Sequence, residues 1–309
     1  MTASLQSIFT LGTLLTTLRL AIPIALAAVG VTICERAGVL NLGVEGMMLM
    51  GAISAVAGSH FTGSPWFGVL LATLVGGLTG LLHGLLCLRF RGNQTVSGVG
   101  INLAASGLTV VICKAIWGND GMSGQVAQIQ PIDVPLLCRI PVLGRFFQGQ
   151  SPFLYLTVLL VFLVWYAFYY SSYGLRLRAI GDHPLAVQSV GVNVTRYRYA
   201  AVVLSGMLAG LGGAYLSIVQ NSLFVSEMVA GRGFLAIAAN IFGGWDPFGA
   251  FLASLLFAFA QALRLNLAGL NIPDQFIQML PYAITLIGLI LIGSRRKAKG
   301  PEAIGALID

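Results

Sequence analysis

Residues 153–170 read FLYLTVLLVFLVWYAFYY. No charged residue interrupts them. As a helix they match the hydrocarbon core of a bilayer, which takes roughly 20 apolar residues to cross. The same reading gives 94–116, 66–88, 38–58 and 14–34 upstream, and 199–219, 228–243, 248–267 and 275–293 downstream. Segments 14–34 and 228–243 fit less well. The latter is short and holds Gly231, Gly233 and Gly243, which predicts a broken or re-entrant helix. Of the 309 residues 57% are hydrophobic and 9% charged, with a mean hydropathy of +0.88. A soluble domain carries about 25% charge, so a soluble enzyme and a disordered chain are both excluded. The expected fold is all-α, one polytopic transmembrane bundle over 1–309, with about eight to ten spans and one or two broken helices.

Two polar segments divide the series. Segment 117–152 balances Arg139 and Arg145 against Asp120 and Asp133. Segment 171–198 sets Arg176, Arg178, Arg196 and Arg198 against Asp182 alone, and the tail 294–309 holds Arg295, Arg296, Lys297 and Lys299. Basic loops stay in the cytoplasm. That places 171–198, the tail and the 89–93 turn inside, and 117–152 outside. The net charge of +7 follows from these loops. No basic patch with interleaved aromatics points to nucleic acid.

Cys34, Cys87, Cys113 and Cys138 form no CxxC and read as small apolar residues, most of them within spans. His60, His83 and His183 are scattered and give no metal-ligand spacing. Ala25-Leu26-Ala27 resembles a signal-peptidase site, but apolar sequence runs through it, so it reads as part of a retained span.

An ionisable group at membrane depth is costly and is a functional candidate by default. Arg19, Lys114 and Arg264 lie near span ends, where long side chains reach the interface. Glu35 and Arg36 are adjacent at a tight turn, consistent with interfacial solvation or local pairing. Glu45 lies in Asn41-Leu42-Gly43-Val44-Glu45-Gly46, an interruption of an apolar span. It serves either a structural hydrogen bond or the substrate path. Glu227, Gly231-Arg232-Gly233, Asn240 and Gly243-Gly244 punctuate the second half in the same way. Transporters often pair two interrupted helices near the midplane. Gln94, Thr95, Ser97 and Asn102 add a third polar set, suited to hydrogen bonds between helices or to the pathway. The candidate pathway residues are therefore Asn41, Glu45, Asn102, Phe234 and Asn240.

Within 171–198, Asp182 is placed to cap a short helix with Pro184 in its first turn and Gly191 past its end. The implied helix, about 184–190, is too short to persist alone in water and needs the membrane domain or a partner. No G-x-x-x-x-G-K-[ST] phosphate loop occurs, so any ATPase is another chain. Gly121-Met122-Ser123-Gly124 spells the G-x-S-G of a hydrolase. The histidine of a polar segment, His183, is expected on the opposite side, out of reach of that serine.

Glu35-Arg36-Ala37-Gly38-Val39-Leu40-Asn41-Leu42-Gly43-Val44-Glu45-Gly46-Met47-Met48 resembles a signature of ABC-importer permeases. The branch is the nucleoside type of the ribose and branched-chain-amino-acid permease superfamily. Arg178-Ala179-Ile180-Gly181-Asp182-His183-Pro184-Leu185-Ala186 resembles its coupling loop, and Ser205-Gly206 through Gly210-Leu211-Gly212-Gly213-Ala214 its glycine-rich helix. The late block Gly231–Ala238 with Ile241–Pro247 follows in order. Gly-Gly at 243–244 departs from the pattern, where a charged residue often follows the first glycine. The resemblance implies a multi-pass subunit of the bacterial cytoplasmic (inner) membrane. It implies a cytoplasmic ABC ATPase, a second permease subunit, often a paralogue, and an extracytoplasmic substrate-binding protein. The chain itself would bind no cofactor, with ATP hydrolysed by the partner, and contact only lipid besides. ATPase coupling falls on Gly181, Asp182, Pro184, Ala186 and Gly191.

The expected function is import of nucleosides, purine nucleosides first, by alternating access. A pathway with few charges suits a neutral, aromatic-like solute. Riboflavin or a simple sugar is the alternative cargo. A proton-coupled transporter using Glu45 or Glu227 is the alternative mechanism.

Overall fold

A computed structural model describes residues 11–132, 149–267 and 300–305. Among them the ordered elements are helical, with two isolated bridges, Met122 to Val225 and Ile132 to Gln150. We number the helices α1 Leu11–Arg36, α2 Val44–Thr62, α3 Pro65–Gly84, α4 Gln94–Trp117, α5 Pro152–Tyr170, α6 Ser172–Asp182, α7 Pro184–Ser189, α8 Val194–Ala214, α9 Arg232–Phe242 and α10 Pro247–Leu267. Helices α3 and α8 run on into wider π turns, Leu85–Arg89 and Tyr215–Gln220. Among the described residues six stretches are long and apolar enough to cross a membrane: Leu11–Arg36, Pro65–Arg89, Gln94–Trp117, Pro152–Tyr170, Val194–Gln220 and Pro247–Leu265.

Local sequence sets the boundaries. Asn93, Ser151 and Asn193 cap α4, α5 and α8, each side-chain oxygen accepting a first-turn N–H. Gly63 and Gly118 end α2 and α4 in the left-handed conformation, φ +69° in both. Helix α1, one of the two segments that fitted the pattern less well, is the central post. Its residues 20–35 are buried throughout. A helix apolar on every side belongs inside, and α8, α9 and α10 enclose this one.

The glycine-rich stretch of α8 is a packing seam. A Cβ on Gly206 would lie 2.2 Å from the Gly76 carbonyl oxygen, one on Gly210 2.4 Å from that of Ala72, and one on Gly213 1.9 Å from that of Met48. Helices α2, α3 and α8 thus meet backbone to backbone, the contact that small residues permit in lipid.

One expectation needs correction: span 38–58 becomes helical only at Val44, because 37–43 is non-helical chain. The break expected in 228–243 is present: residues 228–231 form a turn, and the 11 residues of α9 that follow reach about 16 Å, roughly half the hydrocarbon core. The span expected at 275–293 lies outside the described residues, as do Cys138 and 294–299 of the tail.

The bundle has two distinct ends. At one, residues 121–129 run along 218–226, joined by Ser123 N–H to the Phe224 carbonyl (3.0 Å), Val126 N–H to that of Ser222 (3.0 Å) and Ser226 N–H to that of Gly121 (2.8 Å). Arg19 reaches the Gly149 carbonyl at this end, 3.4 Å. At the other, Leu88 packs against Val39 and Val202, and α6, Gly38 and 300–305 meet. The end of the α3 π turn and the start of the 171–198 segment therefore share an end of the bundle.

Candidate functional site

Buried backbone outside a helix must find partners inside the protein, and 37–43 is largely buried. The 37–43 segment finds them in polar side chains. Leu40 N–H donates to Gln94 Oε1 at 2.7 Å, and the Leu40 carbonyl lies 3.0 Å from His83 Nε2. Asn41 accepts from Gly43 N–H (3.1 Å) and donates to Ser205 Oγ (3.0 Å). Asn102 donates to the Leu42 carbonyl (2.9 Å) and accepts from Gly46 N–H (2.8 Å). The polar set at the start of α4 replaces the helical bonds that 37–46 lacks.

The two interrupted elements touch. The Glu45 carboxylate accepts from Gly231 N–H and Gly233 N–H, 2.7 Å each, at the N-terminus of α9. Free amides and the helix dipole favour a negative group there. A Cβ on Gly233 would lie 2.6 Å from Glu45 Cα, so only glycine allows the approach. Gly231 takes φ +80°, which admits the turn into α9. Arg232 folds back onto the Met228 and Val229 carbonyls, 3.1 and 3.0 Å. One turn along α4 from Asn102, the Ser106 hydroxyl donates to Glu227.

Past its other end α9 meets Glu35. Asn240 Nδ2 and Trp245 Nε1 donate to the same Glu35 oxygen at 2.7 and 2.6 Å, and Thr32 Oγ1 donates to Asn240 Oδ1 at 2.8 Å. Glu35 is 2% exposed. The adjacent-pair expectation for Glu35 and Arg36 is corrected: the carboxylate is buried, and Arg36 instead binds the Trp245 carbonyl at 2.7 Å and that of Gly244 at 3.3 Å.

Of the five candidate pathway residues, Glu45, Asn102 and Phe234 lie around the junction of the broken elements. Phe234 follows Gly233 and is 53% exposed. Glu227 and Ser106 join them on this accessible side. Asn41 and Asn240 are fully buried and bonded to Ser205 and to Glu35 with Thr32. Nothing in the sequence set Ser106 apart from other helical serines. Ser123 is spoken for, accepting from Phe224 N–H at 2.8 Å and donating to the Gly124 carbonyl at 2.9 Å.

In the basic loop, Asp182 is the last residue of α6 and does not cap α7. His183 precedes α7 without a side-chain cap bond, and Pro184 opens it. Gly191 lies beyond the helix end at φ +82°, as expected. No residue of α7 is buried, and Leu185 and neighbouring Val190 are among the exposed apolar side chains. Gly181 is tightly enclosed instead: a Cβ there would lie 2.2 Å from the Arg36 carbonyl oxygen.

The profile of the branched-chain amino acid transport system / permease component family matches residues 13–294. The chain belongs to that family. The permease is 38% identical over 300 residues to the guanosine ABC transporter permease protein NupQ of Bacillus subtilis, covering 94% of this chain and 93% of the relative. It is 37% identical over 294 residues to the nucleoside ABC transporter permease protein NupC of Lactococcus lactis, 92% of each. It is 36% identical over 264 residues to a putative glucose ABC transporter permease protein of Haloferax volcanii, 85% of this chain and 80% of the relative. The permease is thus a multi-pass, non-catalytic subunit of an ABC importer in the cytoplasmic membrane. Its ATPase is a separate subunit, and a substrate-binding protein completes the system. This membership sets aside the proton-coupled alternative.

Proposed function

We propose that the permease imports nucleosides, purine nucleosides foremost, together with a second, paralogous permease subunit. The observation that carries the cargo is the likeness, over more than nine-tenths of both chains, to the guanosine and nucleoside permeases. The chemistry of the junction supports it. Glu45, Asn102, Ser106 and Glu227 offer acceptors and hydroxyl or amide groups to a neutral polar solute, and the exposed Phe234 ring offers a stacking face. Anionic cargo would find two carboxylates there and an Arg232 already turned back on its own loop.

In this reading 171–198 and 294–309 face the cytoplasm and 117–152 faces outside. Helix α7, with Gly181, Asp182, Pro184, Ala186 and Gly191 around it, docks in a groove of the ATPase. ATP binding closes the ATPase dimer and moves α7. The spans rock, and the junction of the broken elements opens to the other side. Lipid does not cover a cluster holding two carboxylates without large cost. The accessible side of α4 and α9 therefore faces the pathway shared with the second permease.

The test is uptake by membrane vesicles holding this chain with its ATPase, paralogue and binding protein. ATP-dependent accumulation of labelled guanosine or adenosine, ahead of pyrimidine nucleosides, is expected. The Haloferax relative favours a second reading, a simple sugar. ATP-dependent uptake of glucose, ribose or riboflavin without nucleoside uptake would overturn the cargo and keep the machinery.

A further inference from the structure

We propose that residues 300–305 are a strap that carries movement of the coupling helices to both broken elements. The proposal rests on the reading of α7 as the ATPase dock. Ala303 N–H donates to the Gly181 carbonyl at 2.9 Å, at the end of α6. Gly305 N–H donates to the Gly38 carbonyl at 3.1 Å, in the non-helical segment that leads to Glu45. Glu302 faces His183, the residue before α7, with Oε2 3.9 Å from Nε2. Gly300 lies against the Trp245 ring, with its Cβ position 3.0 Å away, and that ring donates to Glu35.

Pro301 and Ala303 are buried while the flanking Glu302 is exposed, so the strap is wedged in rather than laid over the surface. A Cβ on Gly181 would meet the Arg36 carbonyl oxygen at 2.2 Å and Pro301 Cβ at 3.2 Å. One on Gly38 would meet the Ala303 carbonyl oxygen at 3.1 Å. The strap contacts α6, the α6–α7 joint, the 37–43 segment and the turn after α9, and it belongs to none of them. A displacement of α7 therefore reaches both ends of the clasp around α9 through one short piece of chain.

The full transporter decides it, with a chain ending at residue 299 and with Ala303→Pro, which removes the N–H given to Gly181; Ala303→Gly keeps that N–H. The readouts are copurification of the ATPase and nucleoside transported per ATP hydrolysed. The strap predicts that the ATPase still binds and hydrolyses ATP. Transport per ATP falls about tenfold or more in the truncated chain and in Ala303→Pro, and stays near normal in Ala303→Gly. An unchanged ratio overturns the strap. So does loss of the ATPase, which would make the tail part of the dock. If the truncated chain does not accumulate, the Ala303 pair decides alone, and equal ratios in the two overturn the strap. Leu185→Asp tests the underlying reading separately, since it should release the ATPase. Its retention would sink the dock and leave the strap measurements standing.

Discussion

Helix α9 is flanked by two carboxylates, and the two are served by different groups. At its N-terminus the backbone amides of 231 and 233 point outward, so Glu45 needs no side-chain donor. Beyond its C-terminus the free groups are carbonyls, which repel a carboxylate. There the cation Arg36 takes the carbonyls of 244 and 245, and Glu35 is served by the Asn240 amide and the Trp245 indole. The Glu45 end lies beside exposed Phe234 and Glu227, while Glu35 is sealed. One residue type thus ties α9 at both ends, from α2 at Glu45 and from α1 at Glu35. The open junction is fit to meet a solute, and the closed one is fit to hold the half-helix in place.

The sealed end should be the more costly to break. Glu35→Leu leaves two buried donors without an acceptor, each costing about 1–3 kcal/mol. The expected outcome is a sharp fall in the amount of folded permease in membranes and in its melting temperature in detergent. Glu35→Gln keeps one acceptor and should lie between. A Glu35→Leu chain that accumulates and melts like the parent would end the distinction between the two ends. Glu45→Leu should behave in the opposite way. Gly231 is only half-buried and the junction opens beside exposed Phe234, so the subunit should accumulate, but uptake should fall about tenfold as the junction loosens. Glu45→Gln, which still accepts one N–H, should be the milder change. Equal and complete loss of uptake in both would assign Glu45 a charge-dependent role instead.

Six of the spans, the break near 231 and the helix-ending role of Gly191 were legible because each depends on local composition. The true start of α2 was not. Residues 37–43 are apolar apart from Asn41, and they stay non-helical because Gln94, Asn102 and His83 on other helices bind their backbone. Long-range partners of that kind leave no local pattern. Asp182 failed as a cap for a different, local reason. Its residue type suits an N-cap, but α6 continues through it, ending with His183 N–H bonded to the Ala179 carbonyl. Asn41 and Asn240 read as pathway residues because a buried asparagine and a solute-facing one look alike in sequence. Only the fold shows that Ser205 and Glu35 satisfy them.

The smallest effect is expected at the edge of the open end. Ser106 donates to Glu227, whose side chain is exposed and whose backbone takes φ +58°, a conformation rare for a residue with a Cβ. The bond holds the turn that presents the α9 amides to Glu45. In Ser106→Ala water replaces the hydroxyl on an exposed carboxylate, so the loss should stay within about 1 kcal/mol and uptake within about fivefold of the parent. Glu227→Gln keeps the turn's hydrogen bond and removes the charge. If Ser106→Ala is nearly silent and Glu227→Gln lowers uptake further, the carboxylate acts on the solute and the serine only steadies it. If both match Glu45→Leu, the serine hydroxyl itself lies in the path, and the open end extends along α4 from Asn102 to Ser106.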